Sequence, residues 1–208
     1  MSLATEERAA ISETLLAVGP DRPTLCAGWT TKDLLAHLLV RERQPWAIVG
    51  AFVPALSEVT DRAMRSFDDL PWTERVELLR SGPPSWSPFR IPQVDALANG
   101  LELFVHHEDV RRGEPGWQPR PSDPVRDAEL WRMLERTGRF WYRRSPVGVI
   151  LRRPDGASLV VKTGHGVVTV TGEPSELVLH ACGRDAARVD VDGSRADLEA
   201  FARAPRRV

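Results

Sequence analysis

The sequence predicts an α+β fold, with an all-helical domain over residues 1–145 and a small α+β domain over 146–208, and three observations carry that prediction. Up to about Arg144 the apolar residues recur at three- and four-residue spacings in several segments, the period of helices that bury one face. From residue 146 onward they alternate in twos, the period of half-buried strands. The 208 residues, 42% hydrophobic and 27% charged, are enough to bury ordinary cores without disulfide or metal staples.

Taken in order, helices are expected at 3–18, 31–52, 55–68, 73–80, 92–112 and 124–143. Gly19-Pro20, Gly82-Pro83-Pro84 and Pro115-Gly116 break the pattern between them. The second helix has a recognisable start, since Thr30 followed three residues later by Asp33 can close a capping box, and Pro45 should kink or shorten it. Beyond the change of period, 147–152 and 159–162 flank a Pro154-Asp155-Gly156 turn, and 167–171 follows; these are expected to form an antiparallel sheet. A helix over 175–182 stops at Gly183, a short strand covers 189–191, and a last helix covers 195–204.

Composition narrows the function classes. The 28 basic and 29 acidic residues leave a net charge of -1, so no field steers the chain toward nucleic acid. No stretch approaches the roughly 18–20 apolar residues of a membrane span, and the acidic start MSLATEER lacks the basic and apolar regions of a signal peptide. The expectation is a cytoplasmic protein with no nucleic-acid or membrane partner; monomer and homodimer are left open. Cys26 and Cys182 lie too far apart in sequence to suggest a disulfide scaffold or a zinc finger, and both are expected to be reduced.

The chemistry concentrates in PQVDALANGLELFVHHEDVRR. On a helical wheel, Asp95, Asn99, His106 and Asp109 fall within about 60° of Glu102. Val94, Ala98, Leu101 and Val105 border this stripe on one side, Leu103 and Val110 on the other, while Gly100, His107 and Arg111 are the better candidates for solvent. A polar seam with apolar margins points into a bundle, where unpaired carboxylates and imidazoles would each cost several kcal/mol. Such groups need partners or a metal.

The second helix repeats the arrangement: Thr30, Asp33, His37, Arg41 and Gln44 share a stripe between Leu34 and Leu38 on one side and Ala36 and Val40 on the other. A single inward histidine is more often a hydrogen-bonded core residue than a ligand. Glu102 and His106, however, stand at i and i+4, a spacing that brings two side chains together on one helical face. With His37 they would make a two-histidine, one-carboxylate set that leaves coordination positions open. That pattern suits catalytic zinc, and also Fe(II), Ni(II) or Mn(II). Cys26 reads as a small buried hydrophobe, His165 as part of a turn, and His180 and Cys182 as packing or capping residues.

TLCAGWTTKDLLAHLLVRE followed some sixty residues later by NGLELFVHHEDVRR resembles the DinB/YfiT-like metal-binding superfamily, in its actinobacterial branch related to mycothiol-dependent maleylpyruvate isomerase. VVTVTGEPSELVLHACGR looks like the sterol-carrier-like C-terminal domain of those isomerases. The resemblance implies an up-down helical bundle with a DinB-like four-helix core, and a divalent metal, most often zinc, on His37, Glu102 and His106. His107 is a one-residue alternative to His106, but its direction lies about 100° away on the wheel. The resemblance further implies an enzyme that activates a low-molecular-weight thiol, mycothiol, as a metal-bound thiolate for S-transfer to, or isomerisation of, a small electrophilic substrate. Asp33, Arg41, Asp95, Asn99 and Asp109 are candidates to orient the imidazoles. A metal-dependent hydrolase using metal-bound hydroxide and a non-catalytic metal- or ligand-binding protein are the alternatives.

Overall fold

In the computed structural model, which describes residues 2–47 and 57–204 apart from the side chains of 92 and 96–98, the chain divides into two compact units, Met1–Gln118 and Pro119–Val208. The first is helical and the second carries a small four-stranded sheet, so the protein is α+β.

The first unit contains α1 (Leu3–Val18), α2 (Thr31–Arg43), α3 (Ser57–Arg65), α4 (Trp72–Arg80), a 3-10 turn (Pro88–Arg90) and α5 (Pro92–Arg111). Ser2 caps α1 by accepting from the Thr5 amide, and Thr30 and Asp33 close the expected capping box at the start of α2. α2 ends at Arg43 rather than running on toward 52. The residue before a proline is pushed out of the helical region, and Gln44, at φ -137° and ψ 54°, has left it ahead of Pro45. The rest of the expected extension to 52, and the expected start of the next helix at 55–56, mostly lie outside the described residues. Ile11 and Leu15 of α1, Leu34, Leu35, Leu38 and Leu39 of α2, Val76 and Leu79 of α4 and Leu103 of α5 form one core. At about 1.5–3 kcal/mol for each fully buried aliphatic side chain, this core outweighs the modest intrinsic propensity of such short helices. α5 packs most extensively on α1.

The second unit comprises α6 (Pro124–Trp141), β1 (Gly148–Arg152), β2 (Ser158–Lys162), β3 (Val167–Thr171), α7 (Pro174–Ala181), β4 (Asp190–Gly193) and α8 (Arg195–Arg203). Its beginning before α6 differs from the 145/146 boundary read from the sequence. The change of period there marks the step from helix to strand, whereas α6 packs on α7 and β2 and so shares their core. Gly138 permits the approach to β2, because a Cβ at that position would stand 2.6 Å from Val161 Cγ1.

The sheet has the order β2-β1-β3-β4 and corrects the antiparallel expectation: β1 pairs antiparallel with β2, but parallel with β3. Two chain reversals produce this, one at the turn around Gly156 (φ 92°) and one at 163–166, which returns β3 to the free edge of β1 in β1's own direction. Alternation nevertheless assigns the faces correctly, with Val149, Leu151, Val168 and Val170 fully buried. His180 accounts for itself as a core residue: its Nδ1 lies 2.8 Å from the Tyr142 hydroxyl, and its ring stacks with Phe201.

Candidate metal centre

α2 carries His37 and α5 carries Glu102 and His106, and the structure brings the three together. One ligand atom from each lies within 4.8 Å of the other two. His37 Nε2 is 3.1 Å and His106 Nε2 is 3.2 Å from the same oxygen, Glu102 Oε1. Four-coordinate zinc with ligand bonds of about 2.0–2.1 Å separates neighbouring ligands by about 3.3 Å, close to both nitrogen-to-oxygen distances here, and the two nitrogens lie within 4.8 Å of each other. The two imidazole rings meet edge to face at 5.2 Å, and the Trp29 ring lies 5.3 Å from that of His37.

On its other side, His106 Nδ1 is 2.9 Å from Asp109 Oδ2, and Asp109 is fully buried. A proton on Nδ1 donated to that carboxylate leaves Nε2 facing Glu102, the tautomer a metal-ligating imidazole needs. The thiol of Cys26 donates to the same oxygen at 3.2 Å and lies 3.8 Å from His106 Nδ1.

The groups titrate apart. Burial would raise the Glu102 carboxyl, but hydrogen bonds with His106 and His37 and the charges of His106 and Arg41 outweigh it and hold it well below the usual carboxylate range. Burial opposes charging of His106, yet Asp109, the Cys26 thiol and Glu102 together raise it well above the ordinary histidine value. His37 moves the other way, lowered by burial and by the neighbouring charges of His106 and Arg41, and is neutral at pH 7. One carboxylate thus faces one imidazolium and one neutral imidazole.

The remaining candidates fall in three places. Asn99 and Arg41 adjoin the centre: Arg41 Nε donates to Asn99 Oδ1 at 3.1 Å, and its Nη1 is 3.9 Å from Glu102 Oε2. Asp95 accepts from Asn99 Nδ2 at 2.8 Å and pairs with Arg8 of α1, which also meets Glu42. A chain of polar contacts therefore runs from α1 to the carboxylate of Glu102. Asp33 is engaged at the cap of α2, where its carboxylate accepts from the Thr30 amide and hydroxyl.

His107 and Gly100 are buried, against the expectation that they face solvent, because α1 covers that side of α5. His107 bonds through Nδ1 to Glu7 and through Nε2 to Thr14, both at 2.9 Å and both on α1, which also separates it from the ligand role. Sequence reasoning missed Cys26 as a polar partner. It sits in an irregular loop without periodicity, and the one local signal was its place just before α2, which carries His37.

Residues 2–85 match the family model of the mycothiol maleylpyruvate isomerase N-terminal domain, a span that includes His37 but ends before α5. No curated protein matches the chain by sequence. Among solved structures, the fold is similar to a histidine-to-alanine mutant of the mycothiol-dependent maleylpyruvate isomerase. That likeness has a TM-score of 0.61 at 16% identity and covers 91% of this chain and 90% of that one. It is also similar to a second structure of the mycothiol-dependent maleylpyruvate isomerase, with a TM-score of 0.58 at 18% identity and the same coverage. The chain is thus similar to the mycothiol maleylpyruvate isomerase N-terminal domain through residues 2–85, and over most of its length it has the fold of those isomerase structures.

Proposed function

We propose that this protein is a divalent-metal-dependent enzyme that uses a low-molecular-weight thiol, mycothiol, for the isomerisation of, or S-transfer to, a small electrophilic substrate. The observation that carries this reading is the meeting of His37 Nε2 and His106 Nε2 on one oxygen of Glu102, at 3.1 and 3.2 Å. These three residues would hold the ion, zinc by the preference of a two-histidine, one-carboxylate set, with nickel, iron(II) or manganese as substitutes. The bound cation's charge favours a thiolate over a thiol at neutral pH. The choice of mycothiol is supported by the matched N-terminal family and by the fold likeness to isomerases named as mycothiol-dependent.

The chain's own groups have definite roles. Asp109 holds the proton on His106 Nδ1 and so keeps Nε2 directed at the centre. Asn99 fixes Arg41, whose partly exposed guanidinium places a positive charge beside Glu102, where it favours a substrate bearing a carboxylate. Trp29 covers the His37 ring on one side. A closed, non-catalytic site has less support. Asp109 and Cys26 engage the opposite nitrogen of His106, and His107 is bonded to α1. The helical unit is further proposed to be an up-down DinB-like four-helix core built on α1, α2, α4 and α5, the C-terminal unit to be a sterol-carrier-like domain, and the protein to act in the cytoplasm.

The test is incubation of zinc-loaded protein with mycothiol and a panel of small electrophiles, read by mass spectrometry. An S-conjugate or an isomerised product is expected, lost in His106→Ala. Hydrolysis of activated esters without thiol dependence would replace this reading with a metal-dependent hydrolase, and no product in any arm would overturn it.

A further inference from the structure

Behind His106 lies a cluster to which the proposed function gives only part of a role, formed by Cys26, Asp109 and the loop that joins them. Asp109 Oδ2 faces two donors, the His106 Nδ1–H at 2.9 Å and the Cys26 thiol at 3.2 Å. The backbone repeats the connection, since the Leu25 amide donates to the Asp109 carbonyl at 3.0 Å. The loop is also tied to itself. Thr24 Oγ1 accepts from the Cys26 amide, Trp29 N donates to the Cys26 carbonyl, and Thr24 N donates to the Trp29 carbonyl. Gly28, at φ 80°, makes the turn that this closure needs. Its two ends therefore reach the two imidazoles, Cys26 through Asp109 to His106 and Trp29 directly to His37.

The geometry points to Cys26 as a positioning residue: its thiol shares one carboxylate oxygen with His106 Nδ1–H and so holds Asp109, and through it the His106 ring, in the orientation the centre requires. The inference rests on the proposed function for its purpose and on the contacts of Asp109 for its content. A thiol suits this position because it is a weak donor, which leaves most of the acceptor strength of Oδ2 for the imidazole. A hydroxyl there would compete harder, and a methyl group would leave one acceptor site of a fully buried oxygen without its donor.

The experiment compares the full chain with Cys26→Ala and Cys26→Ser, by nitrogen NMR of the His106 ring with and without zinc and by Co(II) titration. Cys26→Ala is expected to shift the Nδ1 signal and to weaken Co(II) binding about tenfold, the effect usual for removing an outer partner of a ligand. Cys26→Ser is expected to keep affinity close to wild type while moving Nδ1 in the direction of a stronger competing donor. Unchanged Nδ1 signals and affinity in Cys26→Ala would overturn the inference. If that variant does not fold, an unchanged Nδ1 signal in Cys26→Ser does so. Wild-type protein that binds neither zinc nor Co(II), while Cys26→Ala still shifts Nδ1, would remove the metal reading and leave the positioning role standing.

Discussion

Glu102 Oε1 is the atom on which the site turns, because both imidazoles address it, one from α2 and one from α5. Isolated protein is expected to carry about one divalent ion per chain, and His37→Ala, His106→Ala and Glu102→Gln to carry almost none by elemental analysis. Full metal content in any of the three would remove that residue from the set. Proton traffic gives a second check. His106 is held well above the ordinary histidine value, so at pH 7 the metal-free ring carries a proton that an ion must displace. Calorimetry in buffers of different ionisation enthalpy should report release of about one proton per ion at that pH, falling toward zero as the pH rises through the raised His106 value. Release of none at pH 7 would contradict the arrangement. The convergence of His37, Glu102 and His106 was legible from sequence because these residues lie on polar stripes at helical spacing between apolar margins. His107 was misplaced because a wheel assigns directions but not which neighbouring helix covers them, and α1 supplies Glu7 and Thr14 on that side. Cys26 escaped because loop contacts have no period.

At the scale of elements, the site is only as well placed as the entry to α2 and the exit from α5. The Thr30 and Asp33 capping box fixes the start of α2 one turn and a half before His37, and Thr30→Ala is expected to cost about 1 kcal/mol, a loss of about 2–4 °C in Tm. Calorimetric scanning showing no loss would mean that the cap is idle. Gly113 closes the end of α5 against the loop before α2: a Cβ there would meet the Pro23 carbonyl oxygen at 2.1 Å and Thr24 Cα at 2.9 Å. Gly113→Ala should therefore destabilise the chain by about 1–3 kcal/mol and weaken metal binding as well, since the same loop carries Cys26 and Trp29. Stability lost without any change in metal affinity would show that the loop does not support the ligands. Helix positions were largely legible because each buried face repeats. The parallel β1 and β3 pair was not, because alternation gives the faces of strands and is silent on which edge a returning strand will take.

For the molecule as a whole, the ion and the proton oppose each other. In metal-free protein, the depressed Glu102 contributes stability above the usual carboxylate range that is lost as the pH falls through its lowered value. The raised His106 contributes stability that is full below the ordinary histidine value and is lost as the pH rises through its raised one. The rise in Tm on adding zinc should consequently grow with pH across the interval above the ordinary histidine value. The division before α6 was not legible, since nothing in the composition of 119–145 distinguishes a helix that packs on the sheet from one that packs in the helical unit. X-ray absorption at the zinc edge, on loaded protein before and after addition of mycothiol, probes the proposed centre itself. Two imidazole nitrogens and light-atom ligands are expected beforehand, and one sulfur neighbour at about 2.3 Å afterwards. A spectrum without imidazole, or one that mycothiol leaves unchanged, would contradict a thiol-activating metal at these three residues.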